Sequence, residues 1–263
     1  MTKISLITAS WNSAETIGDT LRSVAVQTYP DIEHIVVDGA SKDETMAIVA
    51  REGSRVARTV SEPDKGIYDA YNRGLRLATG EVIGFINSDD FYCSDNVIAQ
   101  VMEAFADPEV EAVYADLVYV DQANTSKVLR HWRGRQLTDK LLRRGFVPAH
   151  PTLFVRRSAY DRVGDFNLSF RLAADHEFML RLLYAHKVKA LYIPRIWVRM
   201  RIGGATGQSL ASIKKQNQEI RDAQRLHGIH YPRGQFVLFK VVDRALQRLR
   251  GPFVRMPPEV TAR

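Results

Sequence analysis

Cysteine is almost missing from the sequence. The 263 residues include a single one, Cys93. One cysteine excludes a disulfide within the chain and any zinc site built from cysteine ligands. The composition therefore suits a reducing compartment.

Long apolar segments are missing as well. No run approaches the roughly 18 residues that a membrane-spanning helix requires. The first residues, MTKISLITAS, pass directly into a strand-like pattern, without the apolar core and small-residue cleavage site of a secretory signal. We therefore expect a cytoplasmic protein, with the inner face of the cytoplasmic membrane as a peripheral location.

The sequence does contain enough apolar residues for a core, together with an excess of positive charge. Hydrophobic residues make up 45% of the chain, which suits one large domain or two small ones. The formal net charge is +7 and the pI is about 9.5. This excess indicates an anionic partner, such as nucleic acid, an acidic membrane surface or a phosphorylated substrate.

Strand-like and helix-like segments alternate through the first half of the chain. Each β-rich run is followed by a segment whose apolar residues recur at helical spacing. Repeats of this unit predict an α/β fold in which a doubly wound, mostly parallel sheet carries helices on both faces. The predicted strands are 4–9, 34–39, 55–62, 81–87 and 110–120, and the predicted helices are 13–27, 43–52, 66–80 and 95–106.

Three carboxylates fall at the ends of these strands. Asp38 ends the second strand, and Asp89 and Asp90 end the fourth, in the stretch FINSDD. Ligands of open α/β sheets bind outside the carboxyl ends of the strands, so all three are expected at one edge. Adjacent carboxylates repel each other, and Mg²⁺ or Mn²⁺ bridging to substrate phosphates would remove that repulsion. On these residues alone, a solvated turn and helix cap that includes Ser88 is an equally good interpretation.

Several ordered motifs make the chain resemble a known family. They are SLITASWNSAETI, VVDGASKDET, EPDKGIYDAYNRGLRLATGEVIGFINSDD, HPTLFVRRSAYDRVGDFN and AADHEFMLRL, and they span roughly residues 3–205. Their order and spacing resemble the inverting family-2 glycosyltransferases of the GT-A fold. The DKGIYDAYNRG stretch is similar to the subgroup that builds bacterial surface polysaccharides.

The resemblance implies a metal-dependent enzyme that moves a sugar from a nucleoside-diphosphate sugar, with uridine diphosphate preferred, to an acceptor hydroxyl. The implied acceptor is a glycan or a polyprenyl-diphosphate-linked molecule of bacterial polysaccharide synthesis. Mg²⁺ or Mn²⁺ is the implied cofactor. Asp90 is similar to the direct metal ligand of the family, and Asp89 to the residue that contacts the ribose or supports the metal.

The resemblance also implies a nucleotide pocket. Asp38 is expected to accept a hydrogen bond from the base, and Asp64 and Lys65 are expected near the nucleotide. A lysine at this position offsets phosphate charge. The segment implied to lie along the base is Thr8, Ala9, Ser10 and Trp11.

The second half is expected to bind the acceptor and to supply a base. Residues 173–187 predict a helix with Phe178 on its apolar face. By resemblance, Asp175 is the general base that takes the proton of the acceptor hydroxyl, a role that requires hydrogen-bonding distance. Family members often have Glu-Asp where this chain has Ala174-Asp175, and Glu177 is the fallback base. Without the resemblance, an N-cap aspartate is the more common role.

Two further predictions concern loops. The resemblance implies that His150, in VPAHPT, faces the active cleft, where it could contact the metal, the diphosphate or the acceptor; a lone loop histidine is more often structural. After a strand-like run at 189–198, the basic and glycine-rich stretch RMRIGGATGQS contains Arg199 and Arg201, which could clamp the diphosphate under a lid, although a flexible linker explains this stretch equally well. The lid would bend at Gly203, Gly204 and Gly207.

The C-terminal segment is basic and amphipathic. Residues 234–251 predict a helix whose basic residues lie mostly off the apolar stripe. Such a helix suits anionic lipid headgroups, or it packs on its own domain or a second subunit. We expect peripheral membrane contact, because the enzymes that this chain resembles extend lipid-linked acceptors. The stripe consists of Phe236, Phe239, Val242, Leu246 and Leu249.

These observations predict a domain organisation. Residues 1–205 are expected to form the GT-A domain, with a nucleotide-sugar-binding half at 1–120 and an acceptor-binding half at 121–205. Residues 206–263 are expected to form a basic helical extension.

Other functions compete with glycosyl transfer. A nucleotidyltransferase would need a glycine-rich N-terminal loop with a basic residue, which TASWNSAE lacks. A basic domain that binds nucleic acid would repel phosphates through its spaced carboxylates, so no nucleic acid partner is expected. A catalytically degenerate binding or scaffold protein of the same fold is the remaining alternative.

Overall fold

The computed structural model describes residues 1–203, 210–230, 233–254 and 256. Within these residues the chain forms strands β1 to β9 and helices α1 to α9. The strands are Ile4–Ser10, Ile32–Asp38, Val56–Ser61, Val82–Phe85, Asp90–Tyr92, Ala112–Val120, Val128–Trp132, Phe154–Arg156 and Ala190–Arg201. The helices are Ile17–Ala25, Thr45–Glu52, Ile67–Leu77, Val97–Ala104, Asp139–Arg143, Arg157–Val163, Ala174–Leu180, Leu210–Leu226 and Arg233–Arg250.

All of these strands belong to one sheet. Its order is β3-β2-β1-β4-β8-β6-β9-β5, and β7 pairs with β6. The first four strands in this order are mutually parallel, and β6 is parallel to β9. The strands β5, β7 and β8 are antiparallel to their neighbours. The sequence prediction of a parallel α/β sheet is confirmed for the first half, and the antiparallel strands are additions that it missed.

Helices cover both faces of this sheet because apolar residues occupy both sides of its strands. Along β2, Ile35 and Val37 pack into the cluster that contains α3, whereas Val36 packs with residues of α1 and α2. Strands buried on both faces read as continuous apolar runs, which is the pattern of these segments. Helix α3 lies close to β1, since a Cβ atom at Gly74 would be 2.4 Å from Ile7. This close packing places the N-terminal turn of α3 near the carboxyl ends of the parallel strands.

The predicted fourth strand ends earlier than expected. β4 stops at Phe85, and Asp90 begins the separate strand β5, which pairs antiparallel with β9. The intervening turn is closed by a hydrogen bond from the Asp90 amide to the Asn87 carbonyl (3.1 Å). Asp89 therefore lies in the turn between two strands and Asp90 at the first position of the second strand, so neither residue ends β4.

The C-terminal helices pack against the rest of the chain. Phe236 of α9 is buried against Ala173 and Ile220, and Asp243 of α9 accepts a hydrogen bond from Arg135 (2.5 Å). The predicted helix over 234–251 is confirmed as α9, whereas α8 was not predicted. The domain division at residue 205 stays a prediction. None of the helices in the described ranges is long and apolar enough to cross a membrane.

Candidate active site

Asp90 is an enclosed carboxylate at the carboxyl-end edge of the sheet. Its Oδ2 accepts a hydrogen bond from Asn87 Nδ2 (2.9 Å), whereas its buried Oδ1 has no hydrogen-bond partner in the described part of the chain. Burial, followed by the charge of Asp89, raises the pKa of Asp90 well above its usual range. A positive charge beside Oδ1 would stabilise the ionised form.

Arg201 holds the turn that carries this carboxylate. Its guanidinium donates to the Asp89 carbonyl (2.8 Å) and forms an ion pair with Asp19 of α1. It also lies over the ring of Phe91, 4.9 Å from the ring centre. Burial raises the pKa of Asp89, and Arg201 opposes that rise. Arg201 thus connects the backbone at Asp89 to α1 and stabilises the segment that carries Asp90.

Two tyrosines of α3 connect the candidate metal ligand with the candidate base. Tyr71 donates a hydrogen bond to Asn87 Oδ1, and Asn87 in turn donates to Asp90. Tyr68 donates to Asp175 Oδ1 (2.9 Å). Burial and the charges of Asp90, Asp175 and Asp89 raise the pKa of Tyr71 well above its usual range. The hydrogen bonds of the two tyrosines thus place both carboxylates, 85 positions apart in the chain, near α3.

The structure rejects the N-cap interpretation of Asp175. The N-cap position of α7 is Ala173, which has no capping side chain, and Asp175 lies in the first turn. The free amides of Leu172 and Ala173 instead donate to Glu219 of α8 (2.7 and 3.1 Å). The half-buried Asp175 side chain is therefore not required for capping. Among the residues that the structure describes, Tyr68 donates to Oδ1 of Asp175 and no side chain donates to Oδ2.

Glu177, the fallback base, is fully engaged. It is buried and forms an ion pair with Arg181 (3.0 Å). Its Oε1 also lies 2.9 Å from His227 Nε2. Although burial raises its pKa, the hydrogen bonds from His227 and Arg181 lower the pKa overall. Glu177 has a structural role in joining α7 to the end of α8.

A second group of residues forms a shallow surface beside β1. Trp11 is 68% exposed immediately after β1, and a Cβ at Gly39 would lie 3.3 Å from its ring and 2.8 Å from Asp64. Asp64 accepts a hydrogen bond from the Gly66 amide (2.8 Å), and Lys65 is exposed. Only a residue without a side chain at position 39 keeps this surface open. The preceding residues of the predicted base-binding segment, Thr8, Ala9 and Ser10, are buried within β1.

Asp38 ends β2, as predicted, and its carboxylate is buried. Its Oδ1 accepts hydrogen bonds from the hydroxyls of Ser10 (3.0 Å) and Ser41. Its Oδ2 accepts from the Ser41 amide (2.8 Å) and the Ser61 hydroxyl (2.7 Å). A carboxylate accepts about four hydrogen bonds, so Asp38 organises three segments at the sheet edge. Its contact with a base stays a prediction that requires one of these donors to move.

His150 lies in an aromatic cluster. Its ring is 5.2 Å from the ring of Phe85 and 5.5 Å from those of Tyr71 and Phe166. Burial lowers its pKa, although Asp175 acts in the opposite direction. Burial therefore favours the neutral form of the ring, and Asp175 opposes this effect. Its contact with a metal or substrate stays a prediction.

Arg199 and Arg201 lie in β9, not in the glycine-rich loop. Both are buried. Arg199 lies 5.9 Å from the centre of the Phe91 ring and beside Cys93, whose pKa burial raises to about 12. Of the predicted hinge glycines, Gly203 has a φ of +124°, and Gly204 and Gly207 lie outside the described residues. A diphosphate clamp formed by these arginines stays a prediction.

The residues around Asp90 suit a divalent cation whose coordination is completed by the substrate. In the described part of the chain, three or more His, Cys, Asp or Glu side chains do not converge into a closed metal site. Mg²⁺ is commonly held by one or two carboxylates together with water and substrate phosphates. The orphaned Oδ1 of Asp90, with Asp89 adjacent, supplies such an open set of ligands.

Sequence reasoning missed the side chains that connect the site. Tyr68, Tyr71 and Asn87 lie inside the motif EPDKGIYDAYNRGLRLATGEVIGFINSDD, but a motif does not specify what these side chains contact. The i, i+3 spacing of the tyrosines was a usable signal, because it places both on one face of a helix. Lys240 of α9 was also missed: burial and Arg244 lower its pKa to about 8, and Asp175 acts in the opposite direction.

Comparisons with known proteins identify the family of this chain. The family model described as glycosyl transferase family 2 matches residues 5–164. The PGL/p-HBAD biosynthesis glycosyltransferase of Mycobacterium bovis is 33% identical over 199 residues, covering 72% of this chain and 75% of the relative.

Two solved structures share the fold. S. aureus TarS 1–349 in complex with UDP has a TM-score of 0.64 and 18% identity, covering 94% of this chain and 73% of that chain. In a longer TarS structure this chain spans 43% of the length. The mannosyltransferase PcManGT from Pyrobaculum calidifontis, in complex with GDP-Man and Mn²⁺, has a TM-score of 0.61 and 19% identity, covering 93% of this chain and 80% of that chain.

The predicted GT-A architecture, an α/β sheet with helices around it and a C-terminal helical extension, is thus confirmed. Because the family model matches more than half of the sequence, the chain belongs to glycosyl transferase family 2 and is a glycosyltransferase.

Proposed function

We propose that this glycosyltransferase transfers a sugar from a nucleoside-diphosphate sugar, with uridine diphosphate preferred, to an acceptor hydroxyl with inversion of the linkage. The main observation behind this proposal is that tyrosines of α3 position both carboxylates by hydrogen bonds, Asp175 directly and Asp90 through Asn87. One carboxylate is enclosed and suits a cation, and the other is half-buried and suits a proton acceptor. An inverting transfer needs these two functions side by side.

The surface of Trp11, Gly39 and Asp64 is the proposed nucleotide site. An exposed indole offers a flat apolar face on which a base can stack, a contact worth about 1–3 kcal/mol in single-stranded nucleic acid binding. The neighbouring Lys65 is exposed and is free to approach a phosphate. The solved relatives in complex with UDP and with GDP-Man support a nucleotide on this fold.

Mg²⁺ or Mn²⁺ is the proposed cofactor, held by Asp90 with support from Asp89. When bound, such a cation stabilises the negative charge of the departing diphosphate. Asn87 fixes the orientation of Asp90, and Arg201 fixes the turn. The raised pKa of Asp90 supports this assignment, because a nearby cation is what keeps the carboxylate ionised.

Asp175 is the proposed general base. Tyr68 occupies Oδ1, and Oδ2 then accepts the proton of the acceptor hydroxyl. As that oxygen attacks the anomeric carbon from the face opposite the nucleotide, the bond to the diphosphate breaks and the linkage is inverted. Asp175 lies in the first turn of α7, where the helix N-terminus favours its ionised, proton-accepting form.

The proposed acceptor is a glycan or a lipid-linked molecule of bacterial polysaccharide synthesis, and the proposed site of action is the membrane surface. The exposed face of α9 supports this part. Its polar residues Asp243 and Gln247 face the protein. Phe236, the first residue of the predicted stripe, is buried, whereas apolar residues further along the helix face outward. The outward residues are Val242 (48% exposed), Leu246 (39%), Leu249 (69%) and, beyond the helix, Phe253 (86%).

Calorimetric titration tests the donor and metal assignments. We expect one nucleoside diphosphate to bind in Mn²⁺ and to lose most of its affinity in chelator. Asp175→Asn is expected to bind this nucleotide normally and to abolish transfer. A failure of the whole nucleotide panel, or full transfer by Asp175→Asn, would contradict the proposal.

Vesicle flotation tests the membrane assignment. Leu249→Ser combined with Phe253→Ser is expected to reduce binding to phosphatidylglycerol vesicles. The matched control is Leu226→Ser, because Leu226 is 61% exposed on α8 and is not part of the α9 face. Equal binding of the double variant and the wild type would refute membrane contact through this face.

A further inference from the structure

A basic cavity lies between α8 and α9. It has a volume of about 380 Å³, which is within the range of small-ligand pockets. Four cationic residues line it: Lys214 and Arg221 from α8, and Lys240 and Arg244 from α9. The rest of its wall consists of Asn217 and three apolar residues, Ile213, Phe236 and Val241.

The charges in this cavity are not paired with carboxylates in the described part of the chain. None of its four cations forms an ion pair with a carboxylate among the residues that the structure describes. Arg221 donates to the amide oxygen of Gln218, and Lys240 donates to that of Asn217 (2.6 Å). Repulsion between neighbouring cations, added to burial, favours the neutral form of Lys240. An anion in the cavity would relieve this repulsion.

The cavity adjoins the acceptor side of the site. Phe236, in its wall, packs against Ala173, the N-cap residue of α7, two residues before Asp175. Asp175 in turn raises the pKa of Lys240, so the carboxylate and the ammonium group influence each other electrostatically. The surface of Trp11 and Asp64 involves other elements, at the ends of β1 and β3. An anion between α8 and α9 is therefore on the side of the proposed base.

We propose that this cavity binds a phosphate or diphosphate group carried by the acceptor. The inference rests on the proposed function and adds the chemical class that the acceptor must contain. Its cations hold the phospho group while a hydroxyl of the same molecule reaches Asp175. The apolar wall, and the exposure of Val241 beside the outward apolar face of α9, suit a phospho group attached to a hydrocarbon chain.

Titration of the full chain in chelator tests this proposal, because chelator weakens metal-dependent diphosphate binding at Asp90. The probes are inorganic diphosphate, farnesyl diphosphate and farnesol. We expect both diphosphates to bind, and Lys240→Gln and Lys214→Gln each to weaken them about 10-fold, the loss of one charge-assisted contact. The matched control, Lys215→Gln, lies next to Lys214 on α8 but does not line the cavity, and is expected to bind as the wild type does.

The source of the phospho group follows from the same titrations. If farnesyl diphosphate binds more tightly than inorganic diphosphate, the acceptor is lipid-linked. If the two diphosphates bind equally, the acceptor is a water-soluble phosphorylated molecule. Binding of farnesol as tight as that of farnesyl diphosphate, or equal affinities in all variants, would overturn the proposal.

A parallel titration with UDP and Mn²⁺ separates this inference from the donor site. The cavity variants are expected to bind UDP as the wild type does. If they lose UDP affinity by the same factor, the cations serve the donor and the acceptor assignment is wrong. If UDP fails to bind even to the wild type while the diphosphates bind in chelator, the proposed function fails and the anion site stands.

Discussion

Replacing Asp90 with asparagine is expected to stabilise the folded protein when no divalent cation is bound. The substitution preserves the side-chain shape and the hydrogen bond from Asn87, and it removes a buried charge. A buried polar group without a partner costs about 1–3 kcal/mol, and a charged one costs more. Since the new amide nitrogen also lacks an assured partner, we expect a net gain of about 2 kcal/mol in the free energy of unfolding.

The stability gained by Asp90→Asn is expected to increase with pH. Burial and Asp89 raise the pKa of Asp90 in the folded state, so the folded protein holds this proton more tightly than the unfolded chain does. Stability conferred by Asp90 is therefore present below the unfolded pKa of about 3.9 and is lost as pH rises through the folded pKa. The advantage of Asp90→Asn should be small near pH 4 and should reach its full value where Asp90 is ionised.

Thermal unfolding in chelator measures this effect. For a chain of this length, about 2 kcal/mol corresponds to an increase in Tm of about 4–8 °C. Adding Mn²⁺ and UDP should raise the Tm of the wild type and leave that of Asp90→Asn nearly unchanged, and the variant should lose turnover. Asp161→Asn, at an exposed position on α6, is the matched control. A variant that is no more stable than the wild type in chelator at pH 7.5 would refute the reasoning.

Three further changes probe the residues around this site. Tyr68→Phe removes the hydrogen bond to the proposed base and is expected to reduce kcat about 5-fold with the donor KM unchanged, about 1 kcal/mol; a changed KM alone in steady-state kinetics would contradict this. Gly39→Ala places a Cβ 2.8 Å from a carboxylate oxygen and is expected to weaken nucleotide binding in titrations, whereas unchanged affinity would remove this surface from the nucleotide site. Glu177→Gln weakens the buried ion pair with Arg181 and is expected to cost about 3 kcal/mol in denaturant unfolding at pH 7. Although burial raises the pKa of Glu177, hydrogen bonds lower it overall, so the difference from the wild type should vanish as pH falls through the folded pKa; a constant difference down to pH 2 would argue against this.

The sequence determined the elements whose patterns are local. Apolar runs and helical spacing predicted the strands now described as β1 to β4 and β6, together with the helices between them, because side-chain period and secondary structure are directly coupled. The ordered motifs also identified the family. Short strands escaped prediction: β5 and β8 have three residues each, too few for a period to show, and they exist through pairing with β9 and β4.

The site also combines residues that the sequence identified with contacts that only the structure identified. Asp90 and Asp175 were selected from the sequence because their motifs resemble those of a family. Only the tertiary structure decided which side chains hold them. The contacts of Tyr68 with Asp175 and of Phe236 with Ala173 join residues far apart in the chain, and no local pattern specifies such a partner. Packing also decided the free-energy cost of each charge. A carboxylate on an exposed turn is solvated, whereas burial makes the ionised form of Asp90 unfavourable.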